Sequence, residues 1–159
     1  MSALVSTYQW LKAVHVVFAV IWVGGAFMVQ AFALRILPTG DGARIAAFAK
    51  DTEFLGLRIF TPASLILLGS GAWALHDSSG VYDYSQTWVQ LGIVVIVLSI
   101  VVGAGFLGPE SGRIARAIEA GGVASPEAQM RIRRIFVVSR IELLLLLLIV
   151  VDMVVKPGI

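Results

Sequence analysis

One histidine stands inside the run "KAVHVVFAVIWVGGAF", Lys12 to Phe27, which is otherwise apolar after its leading lysine. A neutral imidazole is the commonest protein ligand for haem iron and for copper or zinc, so His15 is the first candidate for chemistry. Seven residues nearly complete two helical turns, so His15 shares a stripe with Trp22 and with a notch at Gly25 and Ala26. His76 and Asp152 fall at a similar depth on other segments. A cluster of His15, His76 and Asp152 would give two imidazole ligands for a metal ion or a haem iron, with a carboxylate to orient a ring. The plainer alternative is a His15 hydrogen-bonded to Asp152 or to a backbone carbonyl, holding helices together, with His76 a solvated boundary residue.

A second set of ionisable groups lies in "RRIFVVSRIELLLLLLIVVDMVV". Arg140 and Glu142 are two residues apart and point to nearly opposite faces of a helix, so they cannot satisfy each other. Arg140 is close enough to the basic flank to snorkel. Glu142 lies deeper, and its expected partner is Arg35, Arg58 or another basic residue, unless it is protonated. A proton relay through Glu142 is the sharper alternative, because ionisable groups in a span are functional suspects by default.

The elements that must position these residues follow from composition. Of 159 residues, 58% are hydrophobic and 14% charged, with a mean hydropathy of +0.92. A soluble domain of this size cannot bury so much apolar surface, so the chain reads as one all-α, polytopic membrane domain over 1–159. The absence of cysteine excludes disulfides, thiolate metal sites, iron–sulfur clusters and c-type haem attachment. A net charge of +2 gives no argument for nucleic acid.

A crossing helix needs roughly 20 mostly apolar residues. The sequence predicts four: about Tyr8 to Leu34, Phe54 to Leu75, Trp88 to Gly108, and Ile135 to Val155. The first lacks a charged n-region and a small-residue cleavage site, and is expected to be a retained helix. The link between the first two spans carries Arg35, Arg44, Lys50 and Arg58. The link between the last two carries Arg113, Arg116, Arg131, Arg133 and Arg134. The middle link, "HDSSGVYDYSQT", has no lysine or arginine. The positive-inside rule puts both basic links in the cytoplasm and both termini outside, in a four-helix bundle of the inner membrane.

Each basic link also carries helical signals. Ile45, Phe48, Ala49 and Leu55 follow helical spacing, as expected of an amphipathic segment lying on the inner membrane surface. Ser125-Pro126-Glu127 reads as an N-cap, a first-turn proline and a first-turn acid. The last helix is therefore expected to start near Pro126 and run roughly 45 Å at 1.5 Å per residue. Tyr8, Trp10, Trp73, Tyr82, Tyr84 and Trp88 read as an outer interfacial belt. "VGGAF" at 23–27 is echoed by "VGAGF" at 102–106, and "RIF" at 58–60 by "RIF" at 134–136, a faint hint of duplication. Glycines at 24, 25, 69, 71, 103, 105 and 108 put smooth patches on three spans, suited to close helix approach or to a flat macrocycle.

The run "LKAVHVVFAVIWVGGAFMVQAFALR" resembles the first helix of a family of small predicted integral membrane proteins of unknown function. That family is distantly similar to the copper-resistance D proteins and to HemJ-type protoporphyrinogen oxidases. The shared pattern is His15, Trp22 and Gly24, with Arg35 at the basic end, and the closing "VVDMVVKP" is also similar. The resemblance implies a b-type haem on His15, or copper handling at the membrane. The chain lacks the cysteine- or methionine-rich clusters of a soft-copper pathway.

Besides a path for protons or ions along Glu142, Arg140 and Asp152, two functional readings stand at this point. One is a redox protein that binds haem b or a metal ion, with His15, Trp22, Gly24, Gly25, Arg35 and His76 around the cofactor. The other is a structural or accessory subunit of a larger membrane complex, or of a homo-oligomer, without a cofactor.

Overall fold

The computed structural model describes residues 6–78 and 80–157. The expected single domain over 1–159 therefore has residues 1–5, 79 and 158–159 outside the described part. Six α-helices form it: α1 (Thr7–Ile36), α2 (Gly42–Phe54), α3 (Thr61–His76), α4 (Thr87–Val102), α5 (Gly108–Gly121) and α6 (Pro126–Val155). A π-turn at Leu55–Phe60 joins α2 to α3, and another at Gly103–Leu107 joins α4 to α5. The chain is thus four long rods, all-α as the composition requires, with no strand among the described residues.

Local chemistry sets the ends of the rods. Ser6 and Gln9 cap α1 reciprocally, each side chain bonded to the other's backbone N–H. Asp41 accepts from the Arg44 N–H at the start of α2. Ser125 accepts from Ala128 N–H, and Pro126 takes the first position of α6, so that helix starts where its sequence signals say. It ends at Lys156, which adopts the left-handed conformation at φ 50°.

The π-turns have a common cause. Pro62 and Pro109 each lack the N–H that would bond the carbonyl four residues back, at Arg58 and Gly105, and both carbonyls lie inside the turns. Side-chain hydroxyls help to satisfy the widened backbone: Thr61 donates to the Gly56 carbonyl at 2.8 Å, and Ser111 to Leu107 at 2.9 Å. The two turns also lie against each other, and a Cβ on Gly56 would meet the Gly108 backbone at 3.4 Å. Glycine at both positions lets the middle rods cross backbone to backbone.

Three rods, Thr7–Thr39, Gly42–His76 and Thr87–Gly121, are long and apolar enough to cross a membrane. The fourth, α6, matches α1 at 30 residues but carries Arg140, Glu142 and Asp152 among its apolar residues. It packs beside α4 and α1 as the fourth member of the bundle, while α1 packs chiefly on α3. Trp22, Leu67 and Leu146 are buried at the bundle centre. At 35 residues, each middle rod is roughly 52 Å long, against a hydrocarbon core of ~30 Å, so one end projects well beyond the lipid.

That projection corrects the reading of the basic links. Their apolar faces are covered by protein rather than left for lipid. Helices α2 and α5 continue the middle rods and pack on each other, burying Ile45, Ala46, Ala49, Ile114, Ala115, Ala117, Ile118 and Ala128. The basic end has a small core of its own, tied together by Glu110. Its carboxylate accepts from Arg131 at 2.7 Å and from Arg113 at 3.1 Å.

The opposite end is closed by aromatic packing rather than by a belt alone. Trp10, Trp73 and Tyr84 are exposed, as a belt requires, but Trp88 is buried edge-on against Tyr82 with centroids 5.4 Å apart. The Lys156 ammonium lies over both rings and donates to the Tyr82 hydroxyl. The faint repeat has no counterpart in local structure, because 102–106 enters a π-turn where 23–27 is regular helix.

Candidate functional site

His15 faces α3. Its Nδ1 lies 2.9 Å from the Leu67 carbonyl, which also accepts from the Ser70 hydroxyl at 3.2 Å. The ring rests on Gly71, where a Cβ would meet Cε1 at 2.7 Å and Nδ1 at 2.8 Å. Since a carbonyl can only accept, Nδ1 carries the proton and Nε2 keeps its lone pair. Nε2 has no hydrogen-bond partner among the described residues. The rest of the stripe turns the same way: Trp22 packs with Leu67 and Leu146, and Gly25 receives the Phe60 ring. Gly24 is exposed and nothing crowds it.

The expected companions of His15 are not gathered around it. His76 is exposed at the end of α3, five residues past Gly71 and about 140° further round the helix. Asp152 is no partner of the imidazole, and its Oδ2 is buried without a hydrogen bond among the described residues. Those residues contain no group of three histidine or acidic side chains that could hold a metal ion. Arg35 is exposed in the last turn of α1, remote in sequence from His15 by 20 residues or ~30 Å of helix.

A second constellation lies in the basic half of the bundle, where a cavity of about 140 Å³ opens between the rods. Trp22, Phe60 and Ile100 wall it at mid-depth, and both π-turns contribute, through Gly56 and Gly103. Glu142 lines it from α6 and is 9% exposed. No basic residue meets that carboxyl. The ion pairs among the described residues are Lys50–Glu119 and the Glu110, Glu127, Arg113 and Arg131 network. Arg35 and Arg58, the expected partners, are exposed, and Arg140 is exposed with its guanidinium 3.9 Å over the Phe136 ring.

Sequence reasoning missed the other polar members of this cavity. Ser99 is 2% exposed and its hydroxyl has no partner among the described residues. Gln30 donates from its side-chain amide to the Ser139 hydroxyl at 2.6 Å, joining α1 to α6. The available signal was a lone glutamine and two serines set in otherwise apolar runs, at depths where polar groups need partners.

Long apolar rods around an interior that holds the polar groups define an all-helical integral membrane protein. Residues 9–157 match the family model described as predicted integral membrane protein (DUF2269), and the chain belongs to that family. No curated protein and no solved structure matched the chain.

Proposed function

We propose that this protein of the inner membrane holds a haem b or a single metal cation through Nε2 of His15, in a redox role. The observation that carries this reading is the 2.9 Å contact of Nδ1 with the Leu67 carbonyl. Metal-bound histidines usually donate their other ring nitrogen in this way, which fixes the tautomer and the ring orientation. The donor set therefore fits one ligand position, and Gly71 supplies the flat bed on which the ring is held. A bound haem would supply one-electron exchange. His15 does not line the internal cavity, which at about 140 Å³ is smaller than the ~300 Å³ at which cofactor pockets begin. That cavity is not the place for a macrocycle. With no second ligand near the imidazole among the described residues, a further ligand would be water or a group from a second copy, which favours a homo-oligomer.

Absorbance spectra and metal analysis of protein purified from haem-supplemented cells test the reading. A Soret band, or a stoichiometric metal, is expected in the wild type and absent in His15→Ala. Gly71→Ala should also lower occupancy, because its Cβ would displace the ring. Gly69→Ala should not, since nothing lies within 4 Å of a Cβ there. Wild-type protein with neither haem nor metal overturns the proposal and leaves the accessory-subunit reading in its place.

A further inference from the structure

The cavity at Glu142 is independent of His15 and has a chemistry of its own. Its lining is mostly carbon, with a few polar groups in the walls. The Ser99 hydroxyl is buried without a hydrogen-bond partner among the described residues, and Glu142, 9% exposed, has no ion-pair partner among them. As a carboxylate it is stable there only beside a positive charge, and otherwise it is held as the neutral acid. Among the described residues no lysine or arginine supplies that charge.

The other oxygens narrow the choice of cation. The Ser64 hydroxyl donates to the Thr61 carbonyl, Thr61 to Gly56, and Ser139 accepts from Gln30 while bonding the Phe136 carbonyl. A hard metal ion seeks about six oxygens in its first shell. The lining offers a single acidic group, with neutral hydroxyl and amide oxygens scattered through walls that are mostly carbon. Aromatic and aliphatic walls instead suit a cation with a carbon skeleton, and the Trp22 and Phe60 rings add an attraction for positive charge. The volume is close to that of a cavity that accepts benzene, ~150 Å³, so the occupant is small.

We propose that this cavity binds a small aliphatic ammonium ion, with its N–H groups on Glu142 and Ser99 and its carbon chain against Trp22, Phe60 and Ile100. Ser99 then has a partner only when the ligand is present. This explains a hydroxyl that contributes nothing to the empty bundle.

The test is thermal unfolding of the full chain in uncharged detergent, with n-butylammonium, tetramethylammonium, sodium and n-butanol titrated separately. Binding to the folded state alone raises the melting temperature saturably. n-Butylammonium is expected to give the largest shift, and Glu142→Gln to abolish it. Ser99→Ala should leave the unliganded melting temperature unchanged or higher, while weakening n-butylammonium binding about tenfold, the loss of one charge-assisted hydrogen bond. A purely structural serine would not separate the two readouts in this way. Should Glu142→Gln fail to fold, Ser99→Ala and the cavity-filling Ala104→Leu carry the test, the latter expected to remove the response. An equal shift with n-butanol would show a merely apolar void and overturn the proposal. So would an equal shift with tetramethylammonium or sodium, or a response retained in Glu142→Gln or in both of the other variants.

Discussion

Ile114→Ala is expected to destabilise the protein by about 3 kcal/mol, while Leu146→Ala costs about half as much. Both side chains are buried, at 4% and 1% exposure, so burial alone predicts equal effects. The difference lies in the reference state. Ile114 belongs to the layer formed by α2 and α5 beyond the lipid, where unfolding exposes it to water. Its truncation loses the transfer term, roughly 0.8 kcal/mol per buried methylene, and leaves a void as well. Leu146 lies at the bundle centre beside Trp22 and Leu67, and separated helices would return it to hydrocarbon. Only lost packing is then at stake. Denaturant unfolding of the two variants in the same micelle, followed by circular dichroism, measures the ratio. Equal losses would mean that the α2–α5 layer does not face water.

Glu110→Ala is expected to cost about 2 kcal/mol and to loosen α5 from α6. The carboxylate is 2% exposed and joins Arg113, three residues on, to Arg131 from the neighbouring rod. Removing one partner of a buried pair costs ~3–5 kcal/mol. The arginines reach solvent on their outer sides, so they can rehydrate and the loss is smaller. Glu110→Gln keeps the shape and an acceptor and should lose less. Burial by itself would push the Glu110 carboxyl up, but the Arg131 and Arg113 hydrogen bonds outweigh it and hold the group below its ordinary value. A depressed carboxyl contributes stability above its unfolded value, near pH ~4.3, and that contribution is lost as pH falls through the lower folded value. The wild type should therefore lose stability on acidification below about pH 4 more steeply than Glu110→Gln. Melting temperatures across that range give the comparison.

The four rods, the acid-only middle link and the start of α6 at Pro126 were all readable from apolar runs, charge and capping residues. The inward stripe of His15, Trp22 and Gly25 was readable from helical spacing, and a carbonyl partner for His15 was among its expected satisfactions. What periodicity could not supply was the identity of the surface covering each apolar face. Ile45 and Ala49 mark a buried face equally well for a helix lying on lipid or for one packed on protein. The better clue was the supply of alanines at 46, 49, 115 and 117, since small side chains let helices approach closely but insert little into a membrane. For Glu142, the expected basic partner failed for a related reason. Charge counting offers partners along the sequence, whereas the fold leaves Arg35 and Arg58 facing outward. The cavity beside it depends on two π-turns whose only sequence signal is a proline just beyond each.

Those turns also fix how the chain tolerates changes in length. Each inserts extra backbone into what is otherwise one continuous rod, so a deletion of one residue within Leu55–Phe60 would rewind the stretch as ordinary α-helix. Five α residues turn through about the same angle as six π residues, so the part below would keep its phase and Ile45 and Ala49 would stay on Ile114 and Ile118. The widened turn thus takes up one residue without rotating what lies beneath, whereas a deletion in the regular helix on either side would turn the basic end by about 100°.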